Sequence, residues 1–243
     1  TQGILAEEPQ RLLRDDMRDT VQTATLLSII GNGAHRLSEI ASRVGKGANE
    51  ITEPLKKLRD LGYVRREIPF DENERNSKRG LYFVDDNLFK FFFRFVAPNA
   101  SVLELGAMEA VMNVVEAEMP SFVGECWKNL CRRFIVGNTV DGILYGKASR
   151  WWGKVFTDGS SEGEMVELDV VAESFDKKHI LIGECKWTGI EDAKRLYDRL
   201  NAIVPHLPFV KRRQVHIALF TKVKPVHGDD VTVFLPADVL ARS

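Results

Sequence analysis

The sequence predicts an α/β chain, α+β overall, with an N-terminal winged helix-turn-helix followed by a mixed sheet flanked by helices. Three observations predict it. Helical patterns run one after another into two short apolar strand patterns before Asp85. The segment Ala97-Pro98-Asn99-Ala100-Ser101 then reads as a linker. Beyond it, strand patterns and helical patterns mix, the signature of a layered α/β domain. The boundary is placed at that linker. Residues 1–97 form a helical lead-in and winged helix-turn-helix, and residues 98–243 form the sheet domain.

Each element has its own justification. Glu8 to Met17 reads as a charged helix with Leu12 and Leu13 on one side. A second helix, Thr20 to Ile30, stops at Gly31-Asn32-Gly33. Leu37 to Gly45 gives a short helix with Ser38 as the expected N-cap. The next helix runs from Asn49 to Leu61, and Ile51, Leu55, Leu58 and Leu61 make a buried stripe at helical spacing. Gly62 closes it. Tyr63 to Ile68 reads as a strand, Asp71 to Gly80 as a polar tip, and Leu81 to Val84 as the returning strand. This order is that of a winged helix-turn-helix.

Its third helix presents Glu50, Thr52, Glu53, Lys56 and Lys57, a mixed face rather than a basic one. Lys56, Lys57, Arg59, Arg65, Arg66, Arg75, Lys78 and Arg79 are the candidates for contacting DNA phosphates. A protein-docking or oligomerisation module fits the same pattern equally well.

The run Phe89-Lys90-Phe91-Phe92-Phe93-Arg94-Phe95 is expected to be a core helix. A membrane-surface or partner-binding helix is the alternative. Two further helices follow, Val102 to Ala117 and Ser121 to Ile135, divided at Pro120. Then come Trp151-Trp152, a Gly/Ser-rich loop from Asp158 to Gly163, and two strands carrying the chemistry described below. A helix from Ile190 to Val204 and strands at Gln214 to Phe220 and Val231 to Leu235 complete the sheet.

Composition narrows the function classes. The chain of 243 residues is 44% hydrophobic and 28% charged, with a net charge of −1. Such balance excludes a globally basic nucleic-acid binder, so any DNA contact must use local patches. Three cysteines, an odd number without close metal-ligand spacing, fit a reduced cytoplasmic protein. The five histidines are scattered, and each is read as a surface or packing residue rather than a zinc ligand. No apolar run approaches the roughly 18 residues of a membrane span, so no membrane partner is expected. No Gly-x-x-x-x-Gly-Lys-Ser/Thr occurs, so nothing here binds ATP by a P-loop.

The richest chemistry lies in Glu167-Leu168-Asp169-Val170-Val171-Ala172 and Gly183-Glu184-Cys185-Lys186-Trp187. Strand side chains alternate faces, so Glu167 pairs in direction with Asp169, and Glu184 with Lys186. The polar segment Ser174 to His179 is placed to turn a hairpin that brings Asp169 close to Glu184. Two carboxylates with backbone carbonyls suit Mg²⁺ or Mn²⁺. A bound divalent ion would acidify water and stabilise phosphoryl charge, and Lys186 could orient that water. The plainer reading is a cross-strand Asp169–Lys186 ion pair that needs no metal.

Together these residues resemble the C-terminal region of prokaryotic, archaeal-type P-loop ATPases, a winged helix followed by a DUF234 domain of PD-(D/E)xK nuclease-like character. The resemblance rests on Leu37-Ser38-Glu39-Ile40-Ala41, Ser77-Lys78-Arg79-Gly80-Leu81-Tyr82, the Phe-rich run, Phe122-Val123-Gly124, Trp151-Trp152 and the two acidic segments. It implies a catalytic set of Asp169, Glu184, Lys186 and Glu167, with Asp169 and Glu184 holding Mg²⁺ or Mn²⁺. It also implies a hydrolase acting on DNA, an ATPase module in the same full-length chain, and leaves self-association open. One departure stands out. The family commonly carries Phe-Glu where this chain has Trp127-Lys128. Glu125, one helical turn earlier, could serve as the outer acidic metal ligand, or Lys128 marks a site that has lost metal affinity. The competing expectation is therefore a catalytically silent nuclease-fold module that binds DNA or protein.

Overall fold

The structure is a computed structural model that describes residues 4–16, 19–156, 162–188, 192–227 and 231–241. Met17, Asp158 to Ser161 of the predicted loop, and Ile190 at the predicted start of the late helix lie outside the described residues. The chain divides into two compact units. One comprises residues 1–67 and 77–118, the other residues 68–76 and 119–243.

The first unit opens with α1 (Ile4–Asp16), α2 (Thr20–Gly31), α3 (Leu37–Val44) and α4 (Ala48–Asp60). The antiparallel pair β1 (Val64–Glu67) and β2 (Leu81–Val84) follows, with Val64 opposite Val84. The spacing-based expectations match these elements to within a residue or two. Ile51, Leu55 and Leu58 of α4 are fully buried with Ile40, Leu26, Leu27 and Ile30 in one core. Leu61, expected in that stripe, is exposed: α4 ends at Asp60, and Leu61 caps it outside the last turn. Ser38 is not the N-cap of α3. Arg36 takes that position in extended conformation, and no side chain caps the helix.

The Phe-rich run is α5 (Asn87–Phe91) continuing as a π-helical turn over Phe92–Val96. Asp86 caps it by accepting from the Leu88 and Phe89 N–H groups. Phe89, Phe92, Phe93 and Phe95 are buried, as a core helix requires. The expected linker is not extended. Ala97–Asn99 form a 3₁₀ turn that runs into α6 (Ala100–Glu104). Pro98 sits in the first turn, where its missing N–H has no intrahelical partner to lose.

A second correction concerns Pro120. Instead of dividing two helices, it lies inside one long helix, α7 (Met108–Ile135). Proline removes the bond to the carbonyl four residues back. Pro120 and Glu116 are both exposed, so water can take over that acceptor. No helix among the described residues is long and apolar enough to cross a membrane.

The second unit is built on a six-stranded mixed sheet in sequential order. Its strands are β3 (Thr139–Val140), β4 (Ile143–Val155), β5 (Glu164–Ser174), β6 (His179–Lys186), β7 (Gln214–Thr221) and β8 (Thr232–Phe234). The first four are antiparallel to their neighbours, and β6, β7 and β8 run parallel. Helix α8 (Ala193–Ile203) is the crossover between β6 and β7, and α9 (Pro236–Leu240) ends the chain. Strands β3 and β4 have no counterpart in the pattern-based reading. The Trp151-Trp152 pair is part of β4, whose Gly, Ser and Lys residues obscure its alternation.

The two faces of the sheet carry separate cores. Val170, Ala172, Leu181, Cys185, Ala218 and Phe220 pack with Trp127, Cys131, Phe134 and Ile135 of α7. Leu168, Val171, Ile180, Ile182, Ile217 and Leu219 pack with Ala193 and Leu200 of α8. Gly183 sits where β6 crosses the first core. A methyl group there would lie 2.9 Å from Phe220 and 3.0 Å from Val170, so only glycine fits without displacing the sheet.

Candidate functional site

The hairpin forms as expected. In β5 and β6, Val170 faces Gly183 and Ala172 faces Leu181. The ladder ends at Val170 and Gly183, while β6 continues alongside β7 as far as Lys186. Asp169, Glu184 and Lys186 therefore sit where two neighbouring strands part.

A β-bulge shapes this fork. Ser149 pairs with Val171, but Trp151 pairs with Leu168, so β5 holds one residue more than β4 between those points. Side-chain alternation breaks across the extra residue: Leu168 packs toward α8 and Val170 toward α7. Asp169 lies within the bulge, the kind of irregularity that re-aims a side chain. Its carboxylate is almost fully buried, at 3% exposure. Oδ2 accepts the Cys185 N–H at 3.1 Å, closing the gap where a ladder bond would otherwise fall.

The other oxygen meets α7. Trp127, Cys131, Phe134 and Ile135 form the helix stripe buried on the sheet, and the Trp127 indole N–H donates to the Phe220 carbonyl at 3.2 Å. That docking places the next row, Lys128 and Arg132, over β5. Lys128 Nζ lies 2.6 Å from Asp169 Oδ1. Arg132 donates to the Asp169 carbonyl oxygen at 3.0 Å. Lys186 Nζ lies 2.7 Å from Glu184 Oε1. Glu167 is exposed and pairs with Arg150, which also lies over the Trp152 ring.

The expected cross-strand pair is thus corrected: Asp169 is held by Lys128, and Lys186 by Glu184. Each of the three carboxylates faces a cation. Glu125 is exposed on α7. Among the described residues, no three His, Cys, Asp or Glu side chains form a group able to hold a metal ion. Asp169, Glu184 and Glu125 are not gathered into one.

The electrostatics follow from this arrangement. Burial raises the Glu184 pKa, and the Asp169 carboxylate raises it further, while Lys186 and Lys128 oppose both. Burial alone would lower the Lys128 pKa. The Asp169 charge and hydrogen bond outweigh it, with Glu167 and Glu184 adding, and hold the ammonium firmly protonated.

A pH prediction follows for Glu184. Its folded pKa exceeds its unfolded value, so the native state keeps a proton that the unfolded chain has released. Stability therefore declines as pH rises from the ordinary carboxylate range, about 4, through the raised folded value. Glu184→Gln is expected to flatten that decline in urea unfolding between pH 4 and 7. Identical profiles for variant and wild type would contradict the assignment.

Sequence reasoning singled out Lys128 only as a departure and missed Arg132 and Arg150. A usable signal existed for Arg132, which falls one turn after Lys128 beside the apolar stripe. Among the basic residues of the first strand pair, Arg65 is occupied internally. It contacts Glu67 at 2.9 Å and Asp85 at 3.2 Å. Arg66 donates to the Ser77 carbonyl at 2.6 Å. Arg59 is half-buried, whereas Lys56, Lys57, Arg75, Lys78 and Arg79 are exposed.

Residues 92–196 match the DUF234 family model, described as archaea bacterial proteins of unknown function. That span takes in Lys128, Asp169, Glu184 and Lys186. Over 200 residues the chain is 27% identical to an uncharacterized protein, MJECL04, of Methanocaldococcus jannaschii. The alignment covers 80% of this chain and 43% of that protein, so the chain spans less than half the length of the curated relative it matches. The crystal structure of protein VC1899 from Vibrio cholerae aligns over 98% of this chain and 54% of its own, at 10% identity and a TM-score of 0.32.

Proposed function

We propose that this chain is a DNA-binding, non-cleaving arm of a larger protein, in which a winged helix is joined to a PD-(D/E)xK-type scaffold. The observation that carries this reading is the Lys128–Asp169 contact at 2.6 Å. The ammonium occupies the side of Asp169 that a divalent ion would need, and the Cys185 N–H takes the other oxygen. The residues as arranged do not fit Mg²⁺ or Mn²⁺. An incoming ion would meet carboxylates already neutralised, and would have to drive a half-buried ammonium from its only favourable partner. The scaffold keeps the acidic fork of a phosphodiester-cleaving site but fills it with a cation of its own.

DNA binding in this reading falls to the exposed Lys56 and Lys57 of α4, with Lys78 and Arg79 before β2. Arg65 and Arg66 serve the strand pair instead. The extra length of the M. jannaschii relative leaves room for a further module, which we take to be the P-loop ATPase. A metal-dependent endonuclease is the second reading. It is favoured by the meeting of Asp169, Glu184 and Lys186 where β5 and β6 part, and it requires Lys128 to withdraw.

Duplex binding measured across a salt series, together with plasmid incubation in Mn²⁺, tests the proposal. Binding should weaken steeply with salt, and Lys56→Ala with Lys57→Ala should reduce the logarithmic slope by about 2. No nicking should occur. Nicking by the wild type that Lys186→Ala abolishes would establish the endonuclease. Failure to bind any duplex would leave a protein-docking module.

A further inference from the structure

A second polar cluster occupies the end of the sheet opposite the acidic fork, where β6 and β7 begin. It is independent of the function proposed above. His179 opens β6, and His216 is the third residue of β7. The parallel pairing of these strands brings His179 Nδ1 to 3.1 Å from His216 Nε2. Alternation from Leu181 and Ala218, both packed toward α7, puts the two imidazoles on that same face. Both rings are partly buried.

Their surroundings are polar and acidic. The Ser174 hydroxyl accepts the His179 N–H at 3.0 Å and donates to Asp176 Oδ1 at 2.5 Å. Asp141, in the turn between β3 and β4, accepts from Thr232 Oγ1 at 3.3 Å. Tyr145 pairs with Ser174 across β4 and β5 and is fully buried. Its hydroxyl is the buried side-chain polar atom without a hydrogen-bond partner among the described residues. Burial, then the charges of Asp141 and Asp176, push the Tyr145 pKa up, so both carboxylates act on the same small region. Such an orphaned hydroxyl beside two imidazoles marks a place built for more than side-chain packing.

We propose that His179 Nδ1 and His216 Nε2 chelate a divalent transition metal of the Zn²⁺ class, with water filling the remaining positions. Zn–N bonds of about 2.0–2.1 Å at a tetrahedral angle set the two nitrogens about 3.3 Å apart. The contact at 3.1 Å therefore already holds both lone-pair positions at chelating separation. In the metal-free protein one ring N–H donates to the other nitrogen. Metal binding takes both lone pairs, and the donating ring shifts to its other tautomer. The flanking carboxylates add negative potential, and the hydroxyls of Ser174 and Thr232 offer outer hydrogen bonds of the kind that orient such sites. Burial and then the neighbouring ring lower the His216 pKa, which keeps that imidazole neutral and able to ligate near pH 7.

Calorimetric titration of the full chain with Zn²⁺ at pH 7.5, paralleled by Co²⁺ absorption, tests this. Binding of one ion per chain is expected, with a nitrogen/oxygen cobalt spectrum that lacks a thiolate charge-transfer band. His179→Gln and His216→Gln should each weaken binding by roughly tenfold or more, while His206→Gln should leave it unchanged. Circular dichroism of the variants guards against misfolding. Undetectable Zn²⁺ binding by the wild type would overturn the proposal. So would binding retained by the double histidine variant, or a cobalt spectrum dominated by thiolate.

Discussion

Lys128→Glu is expected to convert the chain from metal-indifferent to metal-stabilised. In the wild type, the ammonium 2.6 Å from Asp169 neutralises the fork, and millimolar Mn²⁺ should leave the melting temperature unchanged. Replacing it with a carboxylate sets a third acid beside Asp169 and Glu184 and removes the internal cation. Without metal, the variant should lose roughly 2–4 kcal/mol through the uncompensated acidic group. With Mn²⁺ at about a hundred times its dissociation constant, linkage restores about 2.7 kcal/mol. For a chain of this size that is a rise of roughly 5–10 °C. Lys128→Gln, which deletes the charge without adding repulsion, should show a smaller rise and serves if the glutamate variant does not fold. A wild-type melting temperature that already climbs with Mn²⁺ would show that Lys128 does not fill the site.

The second large effect is on stability alone. Asp169→Ala removes the partner of a partly buried ammonium and the acceptor of the Cys185 N–H together. Breaking one side of a fully buried pair costs about 3–5 kcal/mol. The Lys128 side chain is 38% exposed, so water recovers part of that cost. A loss of roughly 2–4 kcal/mol is expected, read as a lowered urea midpoint at constant m-value. The double variant Asp169→Ala with Lys128→Met leaves no stranded charge and should be more stable than the sum of the single losses predicts. A coupling of about 1–3 kcal/mol is expected in the cycle. Strict additivity would mean that the two side chains do not act on each other in solution.

Much of the architecture was legible because it depends on local periodicity. The stripe of Ile51, Leu55 and Leu58 is buried as its spacing requires, and the Asp176 turn joins β5 to β6. Local rules failed where a distant partner decided the outcome. Pro120 breaks helices by propensity, yet α7 runs through it because the vacated carbonyl faces water. Strands β3 and β4 escaped notice because β4 carries exposed, half-buried and buried residues in irregular order. The register shifts against β5 disturb that order further.

The candidate sites divide in the same way. From the amino-acid order alone came the two acidic strand segments, their hairpin and the oddity of Lys128, since residue type and strand alternation are properties of a short stretch of chain. Only the folded arrangement decided which cation meets which carboxylate. The bulge at Asp169 and the docking of Trp127 on the sheet set Lys128, not Lys186, against Asp169. Likewise His179 and His216 are far apart in sequence and meet because a parallel pair joined through α8 sets their strands side by side. Contacts of that range depend on how strands stack and helices dock, and no local pattern of residues encodes them.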